Sequence, residues 1–212
     1  MQDNLFDIFQ PGLKWGAKSM PRAPSKRYFY VEHPQEGWRV FIRNVAILHQ
    51  EGAPFNPLQF LVVKDTGSKS NACAWEPPKG QMEGKDGLER SNKSLLDRMG
   101  IAVLREVEEE AKITDVKNLI YTGLVLQAKE NDYPANTYFQ YHIFQGMIPA
   151  YAIKESVEKF AWFKKHPSAF KQLRKDNREK DDIEWFNPKK TRLYGRWSPS
   201  IVATYIQYYS KA

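Results

Sequence analysis

From residue 38 onward, runs dense in apolar residues alternate with runs dense in polar ones. Residues 38–48 crowd β-branched and aromatic side chains and predict a strand. Residues 60–65 predict a second strand, reached through a loop rich in Gly, Pro and Asn. A polar loop over 66–71 leads to the short apolar stretch 72–75, which Pro77-Pro78 halts. Residues 119–129 and 137–147 predict two more strands around the turn at Asn131, Asp132, Tyr133 and Pro134. Helical spacing shows over 101–112, where Leu104, Val107 and Ala111 form one stripe. It shows again over 198–210, where Ser198 reads as an N-cap, Pro199 as the first helical residue, and an aromatic apolar face follows. There is no internal repeat. Strands flanking helices without regular βαβ alternation give an α+β or mixed α/β class.

Two stretches break this pattern. Pro11, Pro21, Pro24 and Pro34 punctuate residues 1–36, which read as an irregular N-terminal extension with Trp15 and Tyr28-Phe29-Tyr30 packing down locally. The remaining residues, 37–212, read as one domain. Within it, residues 154–192 are polar and basic, with a basic insertion over about 154–181. Residues 164–192 carry ten Lys and Arg against five Asp and Glu. Over all 212 residues the net charge is +7, with 42% hydrophobic and 14% aromatic residues. That composition excludes global disorder, and the charge suits phosphate-rich partners. No stretch has the length of a membrane span, and the first residues lack the charged-then-apolar design of a signal peptide, so no membrane partner is expected. A single cysteine, Cys73, rules out an intramolecular disulfide and points to a reducing, cytoplasmic compartment. Cys73 itself reads as a small core residue. His33, His49, His142 and His166 are scattered and share no ligand spacing.

Candidate chemistry concentrates on the second half of 101–112. Glu106, Glu109 and Glu110 stand at i, i+3 and i+4, so three carboxylates share one helix face. Like charges crowded this way destabilise an isolated helix. A hard divalent cation among them reverses that balance, because Mg²⁺ and Mn²⁺ prefer carboxylate oxygens. Arg105 reaches Glu109 or Glu108 and orients a carboxylate. Pro77-Pro78-Lys79-Gly80 is a stiff turn directly after a strand, and Gly80 permits close backbone approach.

Together these two pieces resemble the Nudix hydrolase signature: Gly, five residues, Glu, seven residues, then Arg-Glu-apolar-any-Glu-Glu-any-Gly-apolar. Gly80 matches its first glycine; Arg105, Glu106, Val107, Glu109, Glu110 and Ile113 match its second half, so the box spans 80–113. Three departures stand out. Asp86 lies six places after Gly80, and 18 residues separate it from Arg105 where the family has seven, an 11-residue insertion. Asp97 is the alternative match, with seven residues before Arg105. Lys112 stands where the family has glycine; if that position needs a positive φ, lysine costs about 1 kcal/mol there, partly offset by a cation at a helix C-terminus.

The resemblance implies an α+β Nudix fold, an α/β/α sandwich around a mixed central sheet. It also implies a pyrophosphohydrolase dependent on Mg²⁺ or Mn²⁺, in which water attacks a phosphorus of a diphosphate. By position, Glu109 and Glu110 would be the principal metal ligands, helped by the backbone carbonyl of Lys79. Glu106 would be a further ligand or the base, with Glu184 an alternative base. Arg105 would orient the glutamates, and Lys79 and Gly80 would meet a substrate phosphate. The insertion, residues 87–100, is expected near the pocket mouth and outside the core. The Trp75-any-Pro77-Pro78-Lys79-Gly80 form resembles dinucleoside polyphosphate hydrolases, and a close form occurs in mRNA-decapping Nudix proteins, some of which accept diphosphoinositol polyphosphates. Basic charge and the basic insertion favour a long anionic ligand, with capped RNA tracked by Lys164, Lys165, Lys171, Arg174, Lys175 and Arg178. A non-catalytic RNA-holding module is the alternative of another class.

Overall fold

The structure is a computed structural model that describes residues 5–21, 23–69, 71–89, 92–195 and 197–210. Residues 1–4 of the N-terminal stretch, and 90 and 91 of the insertion, lie outside the described residues. The strands are β1 (Lys14–Met20), β2 (Ala23–Glu32), β3 (Arg39–Gln50), β4 (Leu61–Asp65), β5 (Trp75–Glu76), β6 (Lys79–Gln81), β7 (Lys117–Ala128), β8 (Thr137–Ile148) and β9 (Lys180–Trp185). The helices are α1 (Gly84–Leu88), α2 (Leu95–Ala111), α3 (Ala150–Lys165), α4 (Pro167–Gln172) and α5 (Trp197–Tyr209). The α+β class expected from the sequence is the class observed. One sheet runs β1-β2-β3-β8-β7 with β6 on β3; a second runs β5-β4-β9.

The chain divides into two compact units. One comprises Met1–Asn44, Gly80–Ala102 and Val125–His142; the other comprises Val45–Lys79, Val103–Leu124 and Ile143–Ala212. In the first unit, β1 and β2 form an antiparallel hairpin from Lys14↔Glu32 to Met20↔Ala23. This corrects the expectation of an irregular segment over 1–36. Pro21 lies in the turn and Pro34 beyond the strand end, while Pro24 is the second residue of β2. At such positions a missing N–H interrupts little of the ladder. Phe29 and Val31 of β2 are fully buried. Helix α1 lies against this hairpin so closely that a Cβ at Gly87 would sit 2.0 Å from the Phe29 ring.

Helix α2 begins with a capping box. The Asp97 N–H donates to Ser94 Oγ at 3.1 Å, and the Ser94 N–H donates to Asp97 Oδ2 at 3.2 Å. The helix therefore starts well before residue 101 and takes in the end of the insertion. Met99 and Leu95 are buried while Leu96 is exposed. The insertion is thus corrected: its second half is core helix, because its apolar residues continue the stripe of Ala102 and Val103.

In the second unit, β4 is central to its sheet and buried along most of its length. Its register with β9 slips between Lys64 and Asp65, a bulge that brings Lys180 opposite Asp65. Phe60 and Phe186 stack at 4.7 Å beside this sheet, and Phe60 meets Tyr205 of α5 edge-on. The stretch expected to be a polar insertion folds as α3 and α4. Ala152, Ser156 and Phe160, spaced by four, form the buried stripe of α3. Ser198 is not the cap of α5, which begins at Trp197. Cys73 is exposed and outside the core, since only Ala74 and Trp75 of its stretch are buried.

Candidate active site

The second unit holds the glutamate face and the turn before it. Val107 and Ala111 anchor α2 in the core, which leaves Glu106 and Glu109 partly exposed and turns Glu110 inward. Arg105 holds the first two: Nη2 lies 2.9 Å from Glu106 Oε1, and Nη1 lies 2.9 Å from Glu109 Oε2. Its contact, expected on Glu109 or Glu108, is made with Glu109 and Glu106.

Glu110 faces the Pro77-Pro78 turn, where the backbone N–H of Lys79 donates to its Oε2 at 2.9 Å. The turn is fixed by the Ala46 N–H, which donates to the Pro78 carbonyl at 2.9 Å. The Lys79 ammonium lies 2.7 Å from Glu76 Oε2, a buried carboxylate also reached by Ser198 Oγ at 3.1 Å.

Lys180 completes the arrangement. Its buried ammonium sits 2.5 Å from Glu76 Oε1, 2.5 Å from Asp65 Oδ1 and 3.7 Å from Glu110 Oε1. Burial alone would raise the Glu76 pKa, but Lys79 and Lys180 overcome it and hold the group at about 2. Burial pushes Glu110 the other way, to about 8, against the pull of Lys180 and with the push of Glu76. Burial would lower Lys180, yet Glu110 and Glu76 raise it above the usual lysine range. Neither Lys180 nor Glu76 stood out as a site residue in the sequence. The only local sign was an acid directly before a double proline; the lysine comes from a strand more than one hundred residues on.

The C-terminus of α2 is closed by side chains. Lys112 has φ of 60°, so the position does take the left-handed backbone that the glycine of the signature would suit. Its N–H donates to the Glu108 carbonyl at 3.1 Å, and its ammonium donates to the carbonyls of Glu109 and, at 2.6 Å, Asn177. Ser156 Oγ donates to the Ala111 carbonyl at 2.5 Å. The carbonyls of Glu108, Glu109 and Ala111 in the last turn are thus satisfied. Burial, and then Lys159 nearby, bring the Lys112 pKa down to about 8.

By donor type, Glu106, Glu109 and Glu110 fit a hard divalent cation, since all their donors are oxygens. Among the described residues, no group of three or more His, Cys, Asp or Glu side chains stands gathered as a preformed cage. The two candidates for the missing glutamate are both helix caps: Asp86 Oδ2 accepts the Glu83 N–H at 2.7 Å, and Asp97 pairs with Ser94. Glu184 accepts Thr191 Oγ1 at 3.0 Å, and burial raises its pKa. Gly80 opens the next segment of the first unit as part of β6. Lys164, Lys165, Lys171, Arg174, Lys175 and Arg178 are all exposed on α3, α4 and the turn after them. Lys164 is paired with Asp182 at 2.6 Å, and Arg178 donates to the Lys171 carbonyl at 2.9 Å. The four histidines stay apart: His49 bridges the Gln59 carbonyl and the Tyr205 hydroxyl, and His142 is buried beside Gln140. No helix among the described residues is long and apolar enough to cross a membrane.

No family model matches the chain, and no curated protein does. Solved structures do resemble it. A Nudix hydrolase from Nitrosomonas europaea aligns with 81% of this chain and 88% of its own, at 16% identity and a TM-score of 0.45. A C. elegans Ap4A hydrolase, in a binary complex, aligns with 81% of this chain and 99% of its own, at 16% identity and a TM-score of 0.43. The Nudix domain of Shewanella oneidensis NrtR, complexed with ADP ribose, aligns with 84% and 94%, at 12% identity and a TM-score of 0.42. The chain is similar in structure to these Nudix proteins.

Proposed function

We propose that this chain is a Nudix-type pyrophosphohydrolase that uses Mg²⁺ or Mn²⁺ to cleave a diphosphate linkage, with the 5′ cap of RNA as its substrate. The observation that carries this reading is the arrangement around α2. Glu106 and Glu109 are held by one arginine, and Glu110 is held by the N–H of the turn residue Lys79. Glu106, Glu109 and Glu110 would hold the cation, with the Lys79 carbonyl as a further donor. Bound there, a divalent ion neutralises phosphate oxygens and lowers the pKa of water. The chain's own residues do the rest. Arg105 sets the rotamers of Glu106 and Glu109, so a carboxylate is in place before substrate arrives. Glu106 takes the proton of the attacking water. Lys180 and Glu76 fix the turn through Lys79, which aims the Lys79-Gly80 backbone at a phosphate.

The basic face supports RNA over a small substrate. Lys165, Lys171, Arg174 and Lys175 are exposed and have no ion pair among the described residues, as suits a run of phosphates. A second reading, hydrolysis of dinucleoside or diphosphoinositol polyphosphates, is favoured by the Trp75-Glu76-Pro77-Pro78-Lys79-Gly80 loop. Magnesium-dependent turnover measured side by side on capped RNA, Ap4A and a diphosphoinositol phosphate separates them. Faster turnover of capped RNA is expected. Turnover of the small substrates alone would move the assignment to the second reading, and no turnover of any would support the RNA-holding module.

A further inference from the structure

The segment expected to be a basic insertion also carries an aromatic array. Over α3 and α4 the rings follow one another in space. His166 stacks on Trp162 at 4.3 Å, Trp162 meets Phe163 edge-on at 5.3 Å, and Phe163 meets Phe170 at 5.4 Å. Trp162 is 48% exposed, and Phe163 and Phe170 are half-buried. Beside them is a cavity of about 200 Å³ walled by Phe160, Phe163, Pro167 and Phe170, with Thr66 and Asp181 at its polar side. It is smaller than the roughly 300–1,000 Å³ that takes a drug-sized ligand, so it suits a single ring system.

Cations follow these rings along the two helices and the turn after them: Lys164 and Lys165 follow Phe163, Lys171 follows Phe170, and Arg174 and Lys175 come next, beyond α4. A face made only to keep the protein soluble would not spend an exposed tryptophan and two half-buried phenylalanines among its lysines. A strand of nucleic acid presents the complementary pair of features: a phosphate at every step and a flat π-face at every base.

We propose that the rings of Trp162, Phe163 and Phe170, with the cavity that the two phenylalanines border, form a base-stacking platform for single-stranded RNA, whose phosphates pass Lys165, Lys171, Arg174 and Lys175. This rests on the capped-RNA reading for its biological substrate, but it concerns binding of the RNA body and needs neither cap nor metal. Stacking tolerates any sequence because every base has a π-face, so the platform grips RNA without selecting it.

The test is fluorescence anisotropy on the full chain without added metal. Two labelled strands of equal length are compared, an uncapped single-stranded RNA and an abasic strand that keeps the phosphates. Trp162→Ala, at an exposed site, should weaken RNA roughly fivefold to a hundredfold, the range of one lost stack, and leave the abasic strand unchanged. Phe170→Leu, which keeps apolar volume and removes the π-face, should act the same way. Its melting temperature, measured alongside, shows whether it is folded; if it is not, Trp162→Ala alone decides. Lys165→Glu with Lys171→Glu and Lys175→Glu should weaken both strands and flatten the salt dependence. Equal losses on the two strands, or no loss in folded aromatic variants, would overturn the platform. So would preference of the wild type for phosphatidylserine vesicles over RNA, which would make the face a membrane contact. RNA binding with the expected variant pattern but no cap cleavage would leave the platform standing and remove the capped-RNA function. Cap cleavage with silent aromatic variants would do the reverse.

Discussion

The backbone N–H of Lys79 donates to Glu110 Oε2 at 2.9 Å, and this one bond joins the double-proline turn to the third glutamate of α2. The partners behind it are buried and charged. Glu110 lies 3.7 Å from Lys180, and Lys180 holds Glu76, which in turn holds the Lys79 ammonium. The turn and the helix face therefore share one electrostatic support.

That support should be expensive to break from one side. Lys180→Met leaves Glu76 and Asp65 without their common cation, and losing one partner of a buried pair costs about 3–5 kcal/mol. Urea denaturation is expected to show a loss of that order. The double variant Lys180→Met, Glu76→Gln should lose less than the sum of the single changes, because each removes the other's reason for strain. Additive losses would mean that the two residues act independently.

The left-handed position at Lys112 makes a different comparison. Lys112→Ala keeps the strained backbone and loses the ammonium that caps Glu109 and Asn177. Lys112→Gly loses the same contacts but relaxes the backbone, so it should be more stable than the alanine variant by about 1 kcal/mol. Equal thermal midpoints for the two would show that the φ of 60° carries no strain.

The helical part of the insertion should behave as core. Met99→Ala should cost about 2–5 kcal/mol, as for other fully buried large-to-small changes, and exposed Leu96→Ala should stay within about 0.5 kcal/mol. Deleting residues 87–97 removes the cap of α2 and the Gly87 contact with Phe29, so cooperative unfolding should be lost. A deletion variant that unfolds like the wild type would return the insertion to the surface.

Acid sensitivity follows from His142. Burial holds its pKa at about 3, against the 6.5 of an exposed histidine, so the folded protein keeps it neutral. Because the folded value is depressed, the stability linked to this group is complete above pH 6.5. It falls by about 1.4 kcal/mol per pH unit as pH drops from there toward 3. Glu76, with its pKa held at about 2, adds a second decline that begins only below about 4.5. His142→Gln should therefore flatten the stability profile between pH 6.5 and 4.5 and leave the steeper acid limb. An unchanged slope in that window would place the sensitivity elsewhere.

What could be read beforehand was local. The stripe of Val107 and Ala111 and the i, i+3, i+4 spacing of the glutamates put them on one helix, and the apolar runs of β3, β4, β7, β8 and α5 marked their elements. The hairpin of β1 and β2 was hidden because its prolines looked like breaks, although they fall in a turn and near strand ends. Helix α3 was hidden because two of the three residues of its buried stripe, Ala152 and Ser156, are small and lie in a charged run. Lys180 was out of reach for another reason: only the bulge at Lys64 and Asp65 brings it beside Asp65 and Glu76, and pairing across that distance leaves no local pattern.

The most direct measurement of the central claim combines Mn²⁺ titration with turnover of capped RNA, for the wild type and for Glu106→Gln, Glu109→Gln and Glu110→Gln. Metal-dependent cleavage is expected, with Mn²⁺ binding weakened by changes at Glu109 and Glu110. Turnover should fall about 10²–10⁴-fold at Glu106, the loss of a general base. Unchanged Mn²⁺ affinity and unchanged turnover in all three variants would contradict the assignment of this helix face as the catalytic metal site.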